Sequence, residues 1–227
     1  MILAGLSLRP TGAWSQSCAG SAPFSEGAFR VGVAYAKPGG NEVRTARAAV
    51  GAFNGSFVDG FYSRVNPRPE LGGDRKGFEY GAEGGLDWYA WRALGLHICP
   101  DVAAHAGRRN GVSLQTPPAS DELTNDRFVM LGAMIGRSPG VHGGVVIVPT
   151  AGLWLVRDRA NAAASTRAVA REYGVSMLGV GLVILKRYTA GVSYERHFAI
   201  AHEVPRFLVF RASIDLGKGS TGDNRKF

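Results

Sequence analysis

The segment Lys76–Trp91, KGFEYGAEGGLDWYAW, separates into two different lists when every second residue is taken. The apolar list is Phe78, Tyr80, Ala82, Gly84, Leu86, Trp88 and Ala90, and the polar list contains Glu79, Glu83 and Asp87. A period of two residues indicates a β-strand whose two faces meet different surroundings. The segment therefore predicts a strand with large aromatic residues on one side and a row of acids on the other.

The rest of the chain also divides into segments of strand length. Ten are predicted: Ala28–Ala36, Glu42–Phe53, Ser56–Val65, Gly77–Trp91, Leu94–Ala104, Arg127–Arg137, Gly144–Arg157, Glu172–Arg187, Tyr188–Phe198 and Arg206–Leu216. Most are rich in valine, aromatic residues, glycine and alanine, and several alternate cleanly. The region from Glu42 to Val65 is less clear, because Arg44, Arg47 and Asp59 fit no single face.

The connections between these segments alternate between short and long. Asn54–Ser56 is a hairpin turn signal, whereas Asn66–Lys76 and Gly107–Asp126 are long and polar. In an up-and-down arrangement all tight turns lie at one end, together with both chain termini. Strands of about 10 residues with short turns at one end and long loops at the other are typical of bacterial outer-membrane barrels.

The predicted fold class is therefore all-β, an up-and-down antiparallel transmembrane β-barrel of about ten strands. Eight strands is the alternative, if the region from Glu42 to Val65 is miscounted. Arg159–Glu172, rich in alanine and arginine, is predicted to be an external loop with helical tendency, or else an outer extension of the eighth strand.

The charge and the apolar runs of the sequence argue against two classes of protein, nucleic-acid-binding proteins and proteins with a membrane-spanning helix. The net charge of the 227-residue chain is +8, but the basic residues are dispersed, which argues against a nucleic-acid partner. The longest nearly apolar run, Gly143–Val156, is too short for a membrane helix and contains Pro149.

The first residues resemble the end of a secretion signal, with an apolar stretch followed by the small-x-small pattern Ala13-Trp14-Ser15. The predicted organisation is a signal remnant at 1–15, a segment at the periplasmic end at 16–27, the barrel at 28–217 and a tail at 218–227. The two cysteines, Cys18 and Cys99, suggest one disulfide in an exported chain, the alternative being two unrelated thiols.

The acids of Lys76–Trp91 are spaced too widely for catalysis, since residues i and i+4 of a strand lie about 13 Å apart. They are expected to meet arginines inside the barrel, with Arg211 and Arg30 as candidates, because buried charges need partners. The predicted interior charge ladder consists of Glu79, Glu83, Asp87, Arg211, Asp215 and Glu195. The predicted lipid-facing or girdle residues are Phe78, Tyr80, Leu86, Trp88, Leu208, Phe210, Tyr188 and Tyr194. No cofactor or metal site is predicted.

Two stretches, YGVSMLGVGLVILKRYTAGVSYERHF and PRFLVFRASIDLG, resemble the last three strands of small outer-membrane β-barrels of the OmpA-like and opacity-protein type. The early SQSCAG and the later HICP resemble exported barrels with one cysteine near the mature start and one in a middle strand. The resemblance implies a membrane-embedded barrel in the outer membrane of a Gram-negative-type bacterium, mostly without enzymatic activity. One departure is that Phe227 is separated from the last strand.

The expected partners are outer-membrane lipids, lipopolysaccharide and the barrel-assembly machinery, and a monomer is expected. Arg68, Arg75, Lys76, Arg108 and Arg109 are the candidates for facing the lipopolysaccharide phosphates.

Three functional interpretations follow. The first is a structural, adhesive or narrow-pore role for an integral barrel with a charged interior. The second is a soluble, exported barrel of lipocalin type that binds a small apolar ligand, which would need an apolar interior. The third is a lipid-modifying barrel enzyme, for which His197 and Ser193 are the nearest candidates.

Overall fold

A computed structural model gives the architecture of most of the chain. The described residues are 28–38, 41–51, 56–66, 77–91, 96–110, 123–137, 144–162, 168–185, 187–198 and 206–216. The predicted signal remnant, the segment 16–27 with Cys18, and the tail lie outside the described residues. No helix in these ranges is long and apolar enough to cross a membrane.

The described residues form one antiparallel sheet that closes on itself. Its strands are β1 (Phe29–Ala36), β2 (Glu42–Gly51), β3 (Ser56–Asn66), β4 (Gly77–Leu86), β5 (Trp88–Trp91), β6 (Leu96–Asn110), β7 (Leu123–Arg137), β8 (Val145–Ala162), β9 (Ala168–Ile184), β10 (Tyr188–Phe198) and β11 (Arg206–Asp215). Each strand pairs with the next along the chain except β4, which pairs with β6, and β1 pairs with β11 to close the ring.

Two of these strands occupy a single position in the wall. β4 lies between β3 and β6, and β5 continues along β6 after Asp87. The described residues therefore build a closed, up-and-down barrel of ten strands. This confirms the predicted fold class, and the eight-strand alternative is wrong.

The two faces of the wall have opposite chemistry. Large apolar side chains are exposed on the outside, for example Val33 (60%), Leu155 (68%) and Leu178 (65%). The buried inner face carries charged residues, among them Arg30, Glu79 and Asp215. A soluble barrel has the reverse arrangement, so this distribution suits a wall surrounded by lipid.

Four strands are longer than expected. β6 and β7 have 15 residues each, and β8 and β9 have 18 and 17. For Arg159–Glu172 the predicted helical tendency is wrong in the described parts, and the alternative, an outer extension of the eighth strand, is confirmed as far as Ala162. β8 and β9 remain paired as far as Asn161 and Ala168. Cross-strand pairing overrides the helix propensity of alanine there.

Candidate functional site

An ion pair crosses the seam where the barrel closes. Arg30 on β1 and Asp215 on β11 are direct partners in the register. Arg30 donates from Nε and Nη2 to the two carboxylate oxygens at 2.5 and 3.0 Å, and each side chain is only 8% exposed. The charged pair thus joins the first and last strands on the buried face.

A second cluster gathers three charges from three successive strands. Asp59 on β3 and Glu83 on β4 are directly opposite each other, an unfavourable arrangement for two carboxylates. Arg47 on β2 lies between them, with Nε 2.9 Å from Asp59 Oδ2 and Nη2 2.5 Å from Glu83 Oε2. The Nε contact is a charge contact without hydrogen-bond alignment. Arg47 therefore offsets the repulsion between two neighbouring acids.

The other two acids of Lys76–Trp91 contact histidines of β6. Asp87 Oδ1 is 2.7 Å from Nδ1 of His97, and Glu79 Oε1 is 2.9 Å from Nδ1 of His105. The His105 ring lies 4.4 Å from the ring of Phe61 and 4.0 Å from that of Phe128, measured between centroids. The imidazole is thus held by a carboxylate and two aromatic rings.

The structure gives the predicted arginines other partners than the sequence suggested. Arg30 bonds Asp215, and Arg211 donates to Glu195 Oε1 at 2.8 Å. Period-two alternation identifies the face on which a residue lies but not its neighbour, which the register between strands determines. Arg47 lies on the same face of β2 as the buried Ala49, two residues further along, so the alternation along β2 is the signal that points to it once one inner residue is known.

Asp101 on β6 is reached by a side chain two strands away. Trp154 on β8 donates from Nε1 to Asp101 Oδ2 at 2.7 Å. Between them on β7 lies Gly132, which is the register partner of both. A Cβ atom at Gly132 would lie 2.3 Å from both the Leu153 carbonyl oxygen and Cδ1 of Trp154. The missing side chain therefore provides the space in which the indole crosses β7.

Replacing Gly132 with alanine is expected to destabilise the folded barrel by about 1–3 kcal/mol, because the backbone of β8 and the indole would both have to shift. Urea unfolding of protein folded in detergent measures the change. Gly60→Ala is the matched control, since a Cβ there meets nothing within 4 Å. Equal stability of the two variants would contradict the proposed packing role of Gly132.

Part of the buried face is apolar, which the sequence did not predict. Met134, Trp154 and Met177 on β7, β8 and β9 belong to one cluster, and Phe57 on β3 extends it. The inner-face ion pairs and histidine–acid contacts described above lie on β1 to β4, β6, β10 and β11 and at Asp87, whereas the largest buried side chains of β7 to β9 are apolar. The interior is therefore asymmetric around the ring.

A cavity of about 80 Å³ lies between these two regions. Arg30, Arg47 and Arg211 line one side, and Met134 lines it from β7. β1 and β7 are five steps apart in the ten-membered ring and so face each other across the barrel. This cavity itself has room for only a few water molecules.

Cys99 is fully buried near the start of β6 and is not a free thiol. Its predicted partner, Cys18, lies outside the described residues, so their pairing stays a prediction. No group of three or more His, Cys, Asp or Glu side chains within the described ranges is arranged to hold a metal ion.

The predicted lipid-facing residues all lie on the exposed face. They are Phe78, Tyr80, Leu86, Trp88, Leu208, Phe210, Tyr188 and Tyr194. Phe78, Tyr80 and Tyr194 lie towards the end of the barrel with the long loops, and Trp88 and Tyr188 lie near the end with the tight turns. Aromatic residues at both edges of an apolar band are what a membrane interface favours.

The candidate catalytic residues on β10 have other contacts. The Ser193 hydroxyl donates to Glu195 Oε1 at 3.5 Å. The His197 ring lies 5.3 Å from the Tyr173 ring and 5.6 Å from the Phe207 ring, measured between centroids.

Comparison with known proteins gives the fold. No protein-family model and no curated protein sequence matches the chain. The beta domain of the Bordetella autotransporter BrkA aligns with a TM-score of 0.52 and 14% identity, over 82% of this chain and 97% of that chain. Neisserial surface protein A aligns with a TM-score of 0.38 and 14% identity, over 84% and 96%. The N-terminal β-barrel domain of Pseudomonas aeruginosa OprF aligns with a TM-score of 0.38 and 10% identity, over 84% and 98%.

Proposed function

We propose that this integral β-barrel of a Gram-negative-type outer membrane is a closed scaffold, with a structural or adhesive role at the cell surface. The observation that supports this best is that side chains of the facing strands β1 and β7, Arg30 and Met134, reach far enough inward to line the same cavity of about 80 Å³. In barrels of about this strand number, side chains are able to fill the interior. Free diffusion of solutes through the lumen is therefore not part of the proposed function.

The proposed interior is charged but internally compensated. Arg30 and Arg47 contact acids on neighbouring strands, and Arg211 contacts Glu195. Separating a buried pair leaves an uncompensated charge, which costs several kcal/mol. These contacts support an interior that stays fixed rather than one that opens to let ions through.

The adhesive part of the proposal is supported by the long strands β6 to β9. A transmembrane strand needs about 9–11 residues, so these four strands exceed the membrane requirement by several residues. The excess lies at the end of the barrel with the long loops. It forms a wall that is suited to hold surface segments away from the bilayer.

Conductance in planar bilayers tests the closed state. We expect no stepwise current from the wild-type protein under conditions in which a diffusion porin conducts, because the side chains occlude the lumen. Reproducible single-channel steps from correctly folded protein would contradict the closed scaffold and favour the narrow pore.

The proposed function does not include modification of lipids by Ser193 and His197. The contacts of Ser193 with Glu195, and of His197 with Tyr173 and Phe207, support packing roles for the two candidates. Incubation with lipid A and mass analysis of the lipid is expected to return it unchanged. A deacylated or acylated product would overturn this part of the proposal.

The proposed partners are outer-membrane lipids, lipopolysaccharide and the barrel-assembly machinery, and we propose a monomer. A disulfide between Cys18 and Cys99 is also proposed, and the absence of a free thiol at Cys99 supports it. Such a bond would hold the segment 16–27 at the periplasmic end.

A further inference from the structure

Exposed arginines collect along one edge of the outer wall. The exposed residues of this kind near the long-loop end are Arg44, Arg64, Arg108, Arg127, Arg157, Arg159, Arg196 and Arg206. At the opposite edge the described exposed arginines are Arg137 and Arg187. The outer wall is therefore much more basic at the end that carries the long loops.

Several of these arginines face each other directly. The register pairs Arg127 with Arg159, and Arg196 with Arg206. Directly opposite residues have Cβ atoms about 4.5–5.5 Å apart, a separation at which like charges destabilise a sheet. Neither pair has an acidic partner among the side chains that the structure describes. Because like charges at this separation repel, an anion held between the two guanidiniums would stabilise each pair.

Other arginines of the edge show what such compensation looks like. Arg44 also faces an arginine, Arg64, but Arg44 Nη2 lies 2.8 Å from Glu42. Arg157 Nε lies 3.6 Å from Glu172 on the neighbouring strand. The pairs Arg127–Arg159 and Arg196–Arg206 are distinguished by having no such acid within the described ranges.

The position of the pairs Arg127–Arg159 and Arg196–Arg206 along the barrel axis indicates which kind of anion they meet. Arg127 precedes the exposed Val129 by two residues, and Arg206 precedes the exposed Leu208 by two residues. Two residues of a strand span about 7 Å, so the guanidinium groups lie at the edge of the apolar band. Anionic lipid headgroups occupy this level of a bilayer.

We propose that the Arg127–Arg159 pair and the Arg196–Arg206 pair each bind a phosphate group of a phosphorylated lipid in the outer leaflet, of the lipid A class. A guanidinium donates two parallel hydrogen bonds to phosphate oxygens, and two facing guanidiniums hold one phosphate between strands. The acyl chains of the same lipid lie against the apolar band below. The inference deepens the proposed contact with lipopolysaccharide and rests on it, and it assigns that contact to residues of the strands rather than of the loops.

The test uses native mass spectrometry of the full-length protein, purified in detergent and mixed with bisphosphorylated lipid A. We expect the wild-type protein to retain lipid A, and the variant R127Q/R159Q/R196Q/R206Q to bind it about tenfold more weakly or worse, because several charge-assisted hydrogen bonds are lost. The variant R137Q/R187Q, altered at the opposite edge, is the matched control and should bind like the wild type. Both variants must show the wild-type heat-dependent gel shift, so that loss of binding is not loss of folding.

Two further probes separate lipid from free ion. Dephosphorylated lipid A should bind the wild type weakly, with about the affinity that phosphorylated lipid A has for the quadruple variant. Inorganic phosphate should not displace lipid A from the wild type. Equal lipid A binding by wild type and quadruple variant would overturn the inference, and so would competition by inorganic phosphate at the concentration of the lipid. The conductance test is independent of these arginines, so failure here leaves the closed scaffold standing.

Discussion

Replacing Arg30 with methionine is expected to destabilise the barrel by about 3–5 kcal/mol, the cost of removing one partner from a buried ion pair. The carboxylate of Asp215 would be left on the inner face of the seam between the first and last strands. Urea unfolding of the protein in detergent, followed by the loss of the compact gel band, measures the effect. We also expect the closing seam to become the least stable part of the wall.

The double variant R30M/D215L tests whether the lost stability comes from the unpaired charge of Asp215 or from lost packing at the seam. Replacing both members of a buried pair by apolar residues is often neutral or stabilising, so most of the lost stability should return. The backbone bonds of the seam, such as Leu216 N–H to the Phe29 carbonyl at 2.7 Å, do not depend on either side chain. Arg44→Met on the exposed face is the control and should change little. If the single variant R30M is as stable as the wild type, the Arg30–Asp215 pair does not have the proposed structural role.

Replacing Val180 with arginine is expected to destabilise the membrane-inserted protein by about 2–4 kcal/mol, the cost of an arginine on the lipid face near the bilayer midplane. Val180 is 42% exposed and lies between the exposed Leu178 and Leu182 on β9. Folding into phospholipid vesicles, followed by urea titration, measures the difference. Val180→Leu is the matched control and should fold as the wild type does.

The same substitution distinguishes a membrane wall from a soluble one. On a water-exposed wall an arginine at this position would be harmless, because surface substitutions usually change stability by less than about 0.5 kcal/mol. An arginine variant that folds as stably as the leucine variant would therefore contradict a lipid-facing β9.

The sequence predicted which face each residue occupies more reliably than which residues meet. Glu79, Glu83 and Asp87 lie on the buried side, as their spacing indicated, but their partners are His105, Arg47 and His97. A period of two residues carries no information on register, which depends on how the hairpins are aligned. The histidine partners therefore became visible only with the pairing of β4, β5 and β6.

The apparent irregularity between Glu42 and Val65 has a simple origin. Arg44 is exposed above the apolar band, whereas Arg47 and Asp59 are directed to the inner face, so all three obey the alternation. An outward arginine is tolerated beyond the band and costly within it. The sequence alone did not reveal where the band ends, so Arg44 looked out of place.

The apolar sector of the interior was missed for a related reason. Met134, Trp154 and Met177 alternate with exposed apolar residues, namely Ile135, Leu153, Leu155 and Leu178, so both faces of β7 to β9 are largely apolar. Hydrophobic patterning cannot distinguish the faces of such strands. The ten-stranded count, by contrast, was predictable because turn signals and loop lengths do not depend on the chemistry of each face.

The measurement that tests the central claim most directly is electrophoresis of the vesicle-folded protein with and without boiling, after an alkaline wash of the vesicles. A barrel with an apolar outer wall should stay with the lipid through the wash. The unboiled sample should migrate as a compact band, and boiling should shift this band to the position of the unfolded chain. Release into the wash, with the same migration before and after boiling, would contradict a closed barrel whose apolar wall faces lipid.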